Sequence, residues 1–111
     1  MNHANWEDFR SLDIRVGQIV EATRYPEARD PAYILQIDFG PKIGILKSSA
    51  QITELYSPEN LLDRQIIAIV NFPPKQIGKI KSQCLVLGSY SDHGVCLLMP
   101  DKKVKNGDKI G

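Results

Sequence analysis

The chain has 111 residues, 42% apolar and 24% charged, with a net charge of +1. This suffices for one domain with its own core, without disulfides or a metal to hold it. Apolar runs such as Ile66 to Val70 fall far short of the roughly 20 residues of a membrane-spanning helix, and Met1 to Arg10 lacks the basic start and apolar stretch of a secretory signal, so residues 1–111 are expected to form one cytoplasmic domain without membrane insertion.

Asn5 is placed to cap a segment from Trp6 to Ser11, with Asp8 three residues later and Glu7 in the first turn. Trp6, Phe9 and Leu12 recur every three residues, which aligns them on one side of a helix too short to persist alone in water. The stripe must dock, either on its own domain or on a partner subunit. Ile14, Val16 and Val20 begin a first strand, with Gly17 at a place suited to a bulge or bend. Tyr25-Pro26 and Asp30-Pro31 then break the chain into a loop. Tyr33, Leu35, Ile37 and Phe39 alternate with Ile34, Gln36 and Asp38, the period of a strand that buries one face.

Gly40-Pro41 ends that strand, and Ile43 to Lys47 supplies a short third one. Ser48-Ser49 is expected to cap a helix from Ala50 to Tyr56, and Ser57-Pro58-Glu59 to start a further helical turn toward Leu62. Ile66 to Val70 is β-branched and apolar throughout, as in a central strand buried on both faces. Pro73-Pro74 stops it, a loop runs from Pro73 to Lys79, and Gln83 to Gly88 forms a fifth strand. Val95 to Met99 reads as another strand, and Lys105-Asn106-Gly107-Asp108 as a turn.

The order strand, strand, strand, short helix, strand, strand is that of the five-stranded oligonucleotide/oligosaccharide-binding (OB) barrel, although a generic small β-barrel shares the periodicity. The expected class is therefore all-β: a five-stranded OB-fold β-barrel with a helical extension over residues 1–12, a short helix between strands three and four, and extra strands in a C-terminal extension over residues 92–111.

Reaction chemistry has little to draw on. His3 lies near the N-terminus and His93 in the turn Ser91-Asp92-His93-Gly94; neither is placed beside a nucleophile and an orienting group. Neither GxxxxGK[ST] nor GxGxxG occurs. Cys84 and Cys96 sit on apolar segments, where thiols act as small core side chains. A disulfide between them stays open on sequence grounds, with the cytoplasmic expectation against it. With two histidines and no CxxC, no structural zinc, catalytic residue or cofactor is expected.

A binding surface is the stronger expectation. In an OB fold it lies on strands two and three and on the loops joining strands one to two and four to five. The first loop brings Arg24 and Arg29. The second brings Lys75, Lys79 and Lys81 together with Asn71, Gln76 and Ser82. Residues 1–70 carry net −3 and residues 71–111 net +4, so the basic surface is late in the chain. It reads either as a solvated face or as a patch for anionic partners. Aromatic platforms for stacking bases near these loops are limited to Tyr25, Tyr33 and Phe72.

The motifs Asp13-Ile14-Arg15-Val16-Gly17, Ile37-Asp38-Phe39-Gly40, Ser48-Ser49-Ala50-Gln51-Ile52-Thr53, Tyr56-Ser57-Pro58-Glu59-Asn60-Leu61 and Asn71-Phe72-Pro73-Pro74-Lys75 resemble the CsaA-type export-related chaperones of the tRNA-binding OB-fold family. The resemblance runs from about Asp8 to Ile110. It implies a homodimer joined through the N-terminal helix and C-terminal strands, with Trp6, Phe9, Leu12, Leu97, Leu98 and Met99 at the interface. It also implies an ATP-independent role in holding unfolded polypeptides or preproteins, with tRNA as the alternative partner. Arg15, Lys47, Ser49, Gln51, Asn71, Phe72, Lys75, Lys79, Lys81 and Ser82 are the contact residues drawn from the loops and these motifs. tRNA-binding members continue the Asn-x-x-Pro loop with a Lys, an Arg-Gly pair, a Ser and a Met. Here those places hold Gln76, Gly78-Lys79, Ser82 and Leu85, so the loop stays cationic through Lys75, Lys79 and Lys81 but lacks the Arg and the Met.

Overall fold

Alternating apolar positions become two cores in the computed structural model, which describes residues 1–111. The elements are helix α1 (Trp6–Arg10), strands β1 (Ile14–Arg24) and β2 (Tyr33–Asp38), helix α2 (Gly40–Ile43), strand β3 (Ile45–Ala50), helix α3 (Pro58–Leu61) and strand β4 (Gln65–Ile69). They continue with hairpin β5 (Lys75–Ile77) and β6 (Ile80–Ser82), strand β7 (Leu85–Val86), and hairpin β8 (Gly88–Ser91) and β9 (Gly94–Leu97). Five strands form one antiparallel sheet in the order β3-β2-β1-β4-β7, curled into a nearly closed OB-type barrel.

β2 buries Tyr33, Leu35 and Ile37 and leaves the residues between them half-buried, the alternation its sequence carries. β4 is buried at all five positions because both faces are covered. Its Ile66 and Ala68 join Ile19, Leu35, Ile37, Phe39 and Leu61 in the barrel interior. Its Ile67 and Ile69 pack with Ile14 and Val16 in a second, smaller core that Leu12, Leu87 and Ile110 cover.

The C-terminal segment supplies part of that cover. Gly107 N–H donates to Val16 O (2.7 Å), Val16 N–H to Asp108 O (2.9 Å) and Ile110 N–H to Ile14 O (2.8 Å), so the Asn-Gly turn lies against the first half of β1, which β2 leaves unpaired. Buried Gln65 fixes the approach to this turn, donating to Val104 O (2.7 Å) and accepting from Val104 N–H (3.1 Å).

Several expectations change. The bulge in β1 falls between Ile19 and Glu21, at Val20. Gly17 instead pairs in register with Ile66, and it is glycine because a Cβ there would sit 2.6 Å from Ile37 Cγ2 and from Phe39 Cε1. The third strand runs to Ala50 rather than ending at Lys47, and no helix spans Ala50 to Tyr56. Ser48 and Ser49 do not cap a helix: Ser48 Oγ donates to Cys84 O (3.2 Å), and Ser49 N–H donates sideways to Ser82 Oγ (3.0 Å). The helix between strands three and four is α3 alone, opened by Ser57 in a capping box with Asn60. The loop from Pro73 to Lys79 is largely the β5–β6 hairpin, and the fifth barrel strand is shorter than Gln83 to Gly88, with Gly88 already in the next hairpin. The late strand is Gly94–Leu97, so Leu98 and Met99 lie beyond it. α1 forms as expected under an Asn5–Asp8 capping box but buries none of its residues.

Gly17→Ala is expected to destabilise the fold by about 1–3 kcal/mol, because neither β2 nor the Phe39 ring can retreat without strain. Val20→Ala, on the bulge and 41% exposed, is expected to stay within about 0.5 kcal/mol. Urea unfolding of both variants against the parent chain makes the comparison.

Candidate polymer-binding site

The barrel closes where β3 meets the segment entering β7, and a groove of about 580 Å³ opens beside that seam, within the size range of ligand-binding clefts. β3 and the residues following it supply one wall, Cys84 to Val86 another, and the two hairpins flank it with Lys75 and Ile77 on one side and Tyr90 and Val95 on the other. Of the ten contact residues expected from sequence, Ser49, Gln51, Phe72, Lys75 and Ser82 line this groove.

The other five stand elsewhere. Lys47 is at the stitched end of the seam: its C=O accepts from Gln83 N–H (2.7 Å) and its N–H donates to Gln83 Oε1 (2.8 Å). Arg15 is occupied within the fold, its Nε donating to Asp13 Oδ1 (2.6 Å) and its Nη1 to Gly107 O (3.1 Å). Asn71 likewise ties down the start of β1, accepting from Asp13 N–H and donating to Ser11 O, both at 2.8 Å. Lys79 is at the tip of the β5–β6 hairpin and Lys81 pairs with Gln76 along it, all three exposed.

That hairpin is a presented surface. Ile77 pairs with Ile80 across a two-residue turn, Gly78-Lys79, with Gly78 at φ 60° and Lys79 at negative φ, the signs of a type II′ turn with glycine in its first central position. Tyr25, buried in the loop after β1, holds the tip: its hydroxyl donates to Ile77 O (2.7 Å) and accepts from Lys79 N–H (2.9 Å). Side chains of paired residues share a face, so Lys75, Ser82, Ile77 and Ile80 lie on one side and Gln76 and Lys81 on the other. Lys75, Ile77 and Ser82 line the groove, and Gln76 and Lys81 do not. The stretch is expected from sequence as a loop, although Gly78-Lys79 between Ile77 and Ile80 carries the turn signal; nothing in the sequence marks Tyr25 as its clamp or Gln83 as the seam's fastener.

Of the aromatic side chains expected near the loops, Tyr25 and Tyr33 are buried, Tyr33 donating its hydroxyl to Tyr56 O (2.6 Å), while Phe72 is exposed. Tyr90, not anticipated from sequence, is 96% exposed on the groove's rim. Arg24 and Arg29 line a separate hollow of about 380 Å³ with Tyr25, Tyr33 and Thr53.

Cys84 is buried against the barrel wall, which pushes its thiol up to about 12; it stays protonated near neutral pH and is a poor nucleophile. Cys96 is a free, exposed thiol, and His93 is exposed in the β8–β9 turn. Away from the groove, Trp6 is 75% exposed, Met99 58%, Leu98 44% and Phe9 37%, while Leu12 and Leu97 pack partly against the two cores. No helix is long and apolar enough to cross a membrane.

The family described as "Putative tRNA binding domain" matches residues 14–109. Among solved structures, the CsaA chaperone protein from Picrophilus torridus is 50% identical with a TM-score of 0.94, the match covering 98% of this chain and 100% of that one. Chaperone CsaA from Bacillus anthracis strain Ames is 49% identical with a TM-score of 0.93, covering 99% and 100%. The methionine–tRNA ligase of Pyrococcus horikoshii is 39% identical over 110 residues, which is 99% of this chain. The chain spans about 15% of that ligase's length, and the family it matches there is a binding domain and not a catalytic one. With the family pattern running from Ile14 to Lys109 and two CsaA chaperones about half identical along their full length, the chain belongs to the tRNA-binding domain family in its CsaA-like form.

Proposed function

We propose that the chain is a non-enzymatic, ATP-independent chaperone of the CsaA type, a cytoplasmic homodimer that holds unfolded or exported polypeptides. The observation that carries this reading is the groove beside the seam. Its lining mixes apolar side chains with Ser, Gln and Lys75 and includes no Asp or Glu, a surface that takes apolar segments and tolerates neighbouring acidic ones. The full-length likeness to two CsaA chaperones supports it.

Light scattering from a heat-denatured client enzyme tests the reading. Equimolar chain without nucleotide is expected to suppress aggregation, and an unchanged scattering curve at several-fold excess would overturn the proposal. For the homodimer, the support is the apolar surface left by Trp6, Phe9, Leu98 and Met99. Trp6→Ala with Phe9→Ala is expected to move the chain toward monomer in sedimentation velocity; a sedimentation coefficient unchanged from the parent dimer would assign that stripe to another role.

tRNA binding is the second reading, favoured by the family match and by the hairpin that presents Lys75, Lys79 and Lys81. If three phosphate contacts form, affinity is expected to fall roughly 20- to 40-fold between 50 and 200 mM salt. Lys75→Ala with Lys79→Ala should reduce the salt slope to about a third, because one phosphate contact would remain. Gel-shift titration with unfractionated tRNA reads both effects, and no shift at the lower salt would remove tRNA from the partners.

A further inference from the structure

Five strands joined only by antiparallel ladders leave β3 and β7, the two ends of the order, running in the same direction. A barrel with an odd number of such strands has one parallel seam, and parallel pairing is slanted and slightly less stable. Here the seam is fastened at one end only, through Gln83 to Lys47, Ser82 to Ser49 and Cys84 to Ser48. No ladder joins β3 to β7.

Both banks keep unused backbone groups beyond the fastening. In an antiparallel pair, alternate residues bond to the neighbouring strand and those between point away. Lys47 and Ser49 direct their N–H groups to Gln83 and Ser82, away from β2, so the Ser49 carbonyl points outward too. Neither it nor the N–H of Gln51, the next outward residue, has a protein partner. On the other bank Leu87 N–H donates to Ile67 O (2.9 Å), which directs Leu85 and Leu87 toward β4 and the N–H and C=O of Val86 away from it. Ser49, Gln51 and Val86 all line the same groove.

We propose that an extended polypeptide segment parts β3 from β7 beyond the fastening and enters from this groove as an added strand, antiparallel to both, replacing the unfinished parallel seam with two antiparallel ladders. The proposal rests on the polypeptide-holding reading above and gives it a binding mode. The segment it fits carries β-branched or aromatic residues at alternate positions, facing Ile52, Cys84 and Val95 in the core-side wall, because side chains of a strand alternate in direction. Its flank is acidic, to meet Lys75 in a lining that has no carboxylate. Phe72, Leu85 and Tyr90, all exposed along the groove, cover the segment's outer side. A nucleic acid strand has no regular series of N–H donors and carbonyl acceptors with which to satisfy both banks.

The test uses the full chain and a short fluorescein-labelled peptide of alternating valine and serine with two glutamates at each end. Two further versions carry N-methyl groups on the even or on the odd backbone amides, which removes donors toward one bank while every side chain stays in place. Fluorescence anisotropy is expected to show each methylated peptide binding about tenfold more weakly, the effect of losing one or two hydrogen bonds. A lysine-flanked version should also bind more weakly. Equal affinity for all backbone versions, or loss for one parity only, would overturn insertion between two strands. Equal or tighter binding of the lysine-flanked peptide would overturn the acidic match. If the parent peptide fails to bind while client aggregation is still suppressed, strand insertion is overturned and the chaperone reading stands; failure of both overturns both.

Discussion

Strand β1 is the constraint on which the rest of the barrel depends. Its residues 14–18 pair with β4 and its residues 18–24 with β2, so one strand crosses the barrel and serves two neighbours in succession. Ile14 and Val16 face the smaller core and Ile19 the larger, which makes β1 the wall between them. The glycine at position 17 is what allows this wall to be thin. Phe39 and Ile37 fill the space a side chain would take, and Phe39 is thereby sealed at 1% exposure in the barrel interior. Where β2 has left β1, the C-terminal segment takes its place by hydrogen bonding to Ile14 and Val16. Asn71 holds the N-terminal extension at the same place by bonding to Ser11 and Asp13, so both extensions are fastened to the start of the same strand.

What the sequence disclosed follows from the range of the interactions concerned. The capping box at Asn5, the alternation of β2 and the buried run of β4 are local patterns, and each is present in the structure. The segment Ser48 to Tyr56 defeated the same method because two serines before an apolar spacing look like a helix start. Their donors are claimed instead by Ser82 and Cys84, more than 30 residues away. Gly17 was read as a bend when its purpose is close packing against β2, a requirement visible only once β2 and its Phe39 are in place. Of the ten contact residues drawn from the loops and the family motifs, Ser49, Gln51, Phe72, Lys75 and Ser82 come together along the groove. That Arg15 and Asn71 spend their polar atoms inside the fold was not legible, since both bonds depend on segments distant in sequence.

The fold separates two kinds of surface that composition alone would merge. Net positive charge late in the chain gathers partly on the β5–β6 hairpin, which Tyr25 clamps from the loop after β1. The exposed apolar residues divide as well: Phe72, Leu85 and Tyr90 border the groove, whereas Trp6, Phe9, Leu98 and Met99 do not. A single basic and apolar patch would bind almost anything weakly. Separation lets charge act at long range on approach while apolar contact acts only in the groove.

The hairpin's pleat carries this division down to single side chains. Lys75 shares its face with Ile77 and Ser82 and turns toward the groove, while Lys81 and Gln76 occupy the opposite face and Lys79 the tip. A polymer held in the groove therefore meets one lysine of the three and leaves two to solvent. A polyanion laid across the hairpin meets Lys79 and Lys81 outside the groove and the exposed Lys75 at its edge, but it finds few aromatic platforms for stacking there, since Tyr25 and Tyr33 are buried inside the fold. The cationic face thus offers charge with little stacking, and the groove offers apolar contact with unpaired backbone. Extended polypeptide is the polymer that matches the second combination, because its own backbone supplies the missing donors and acceptors at the spacing of a strand.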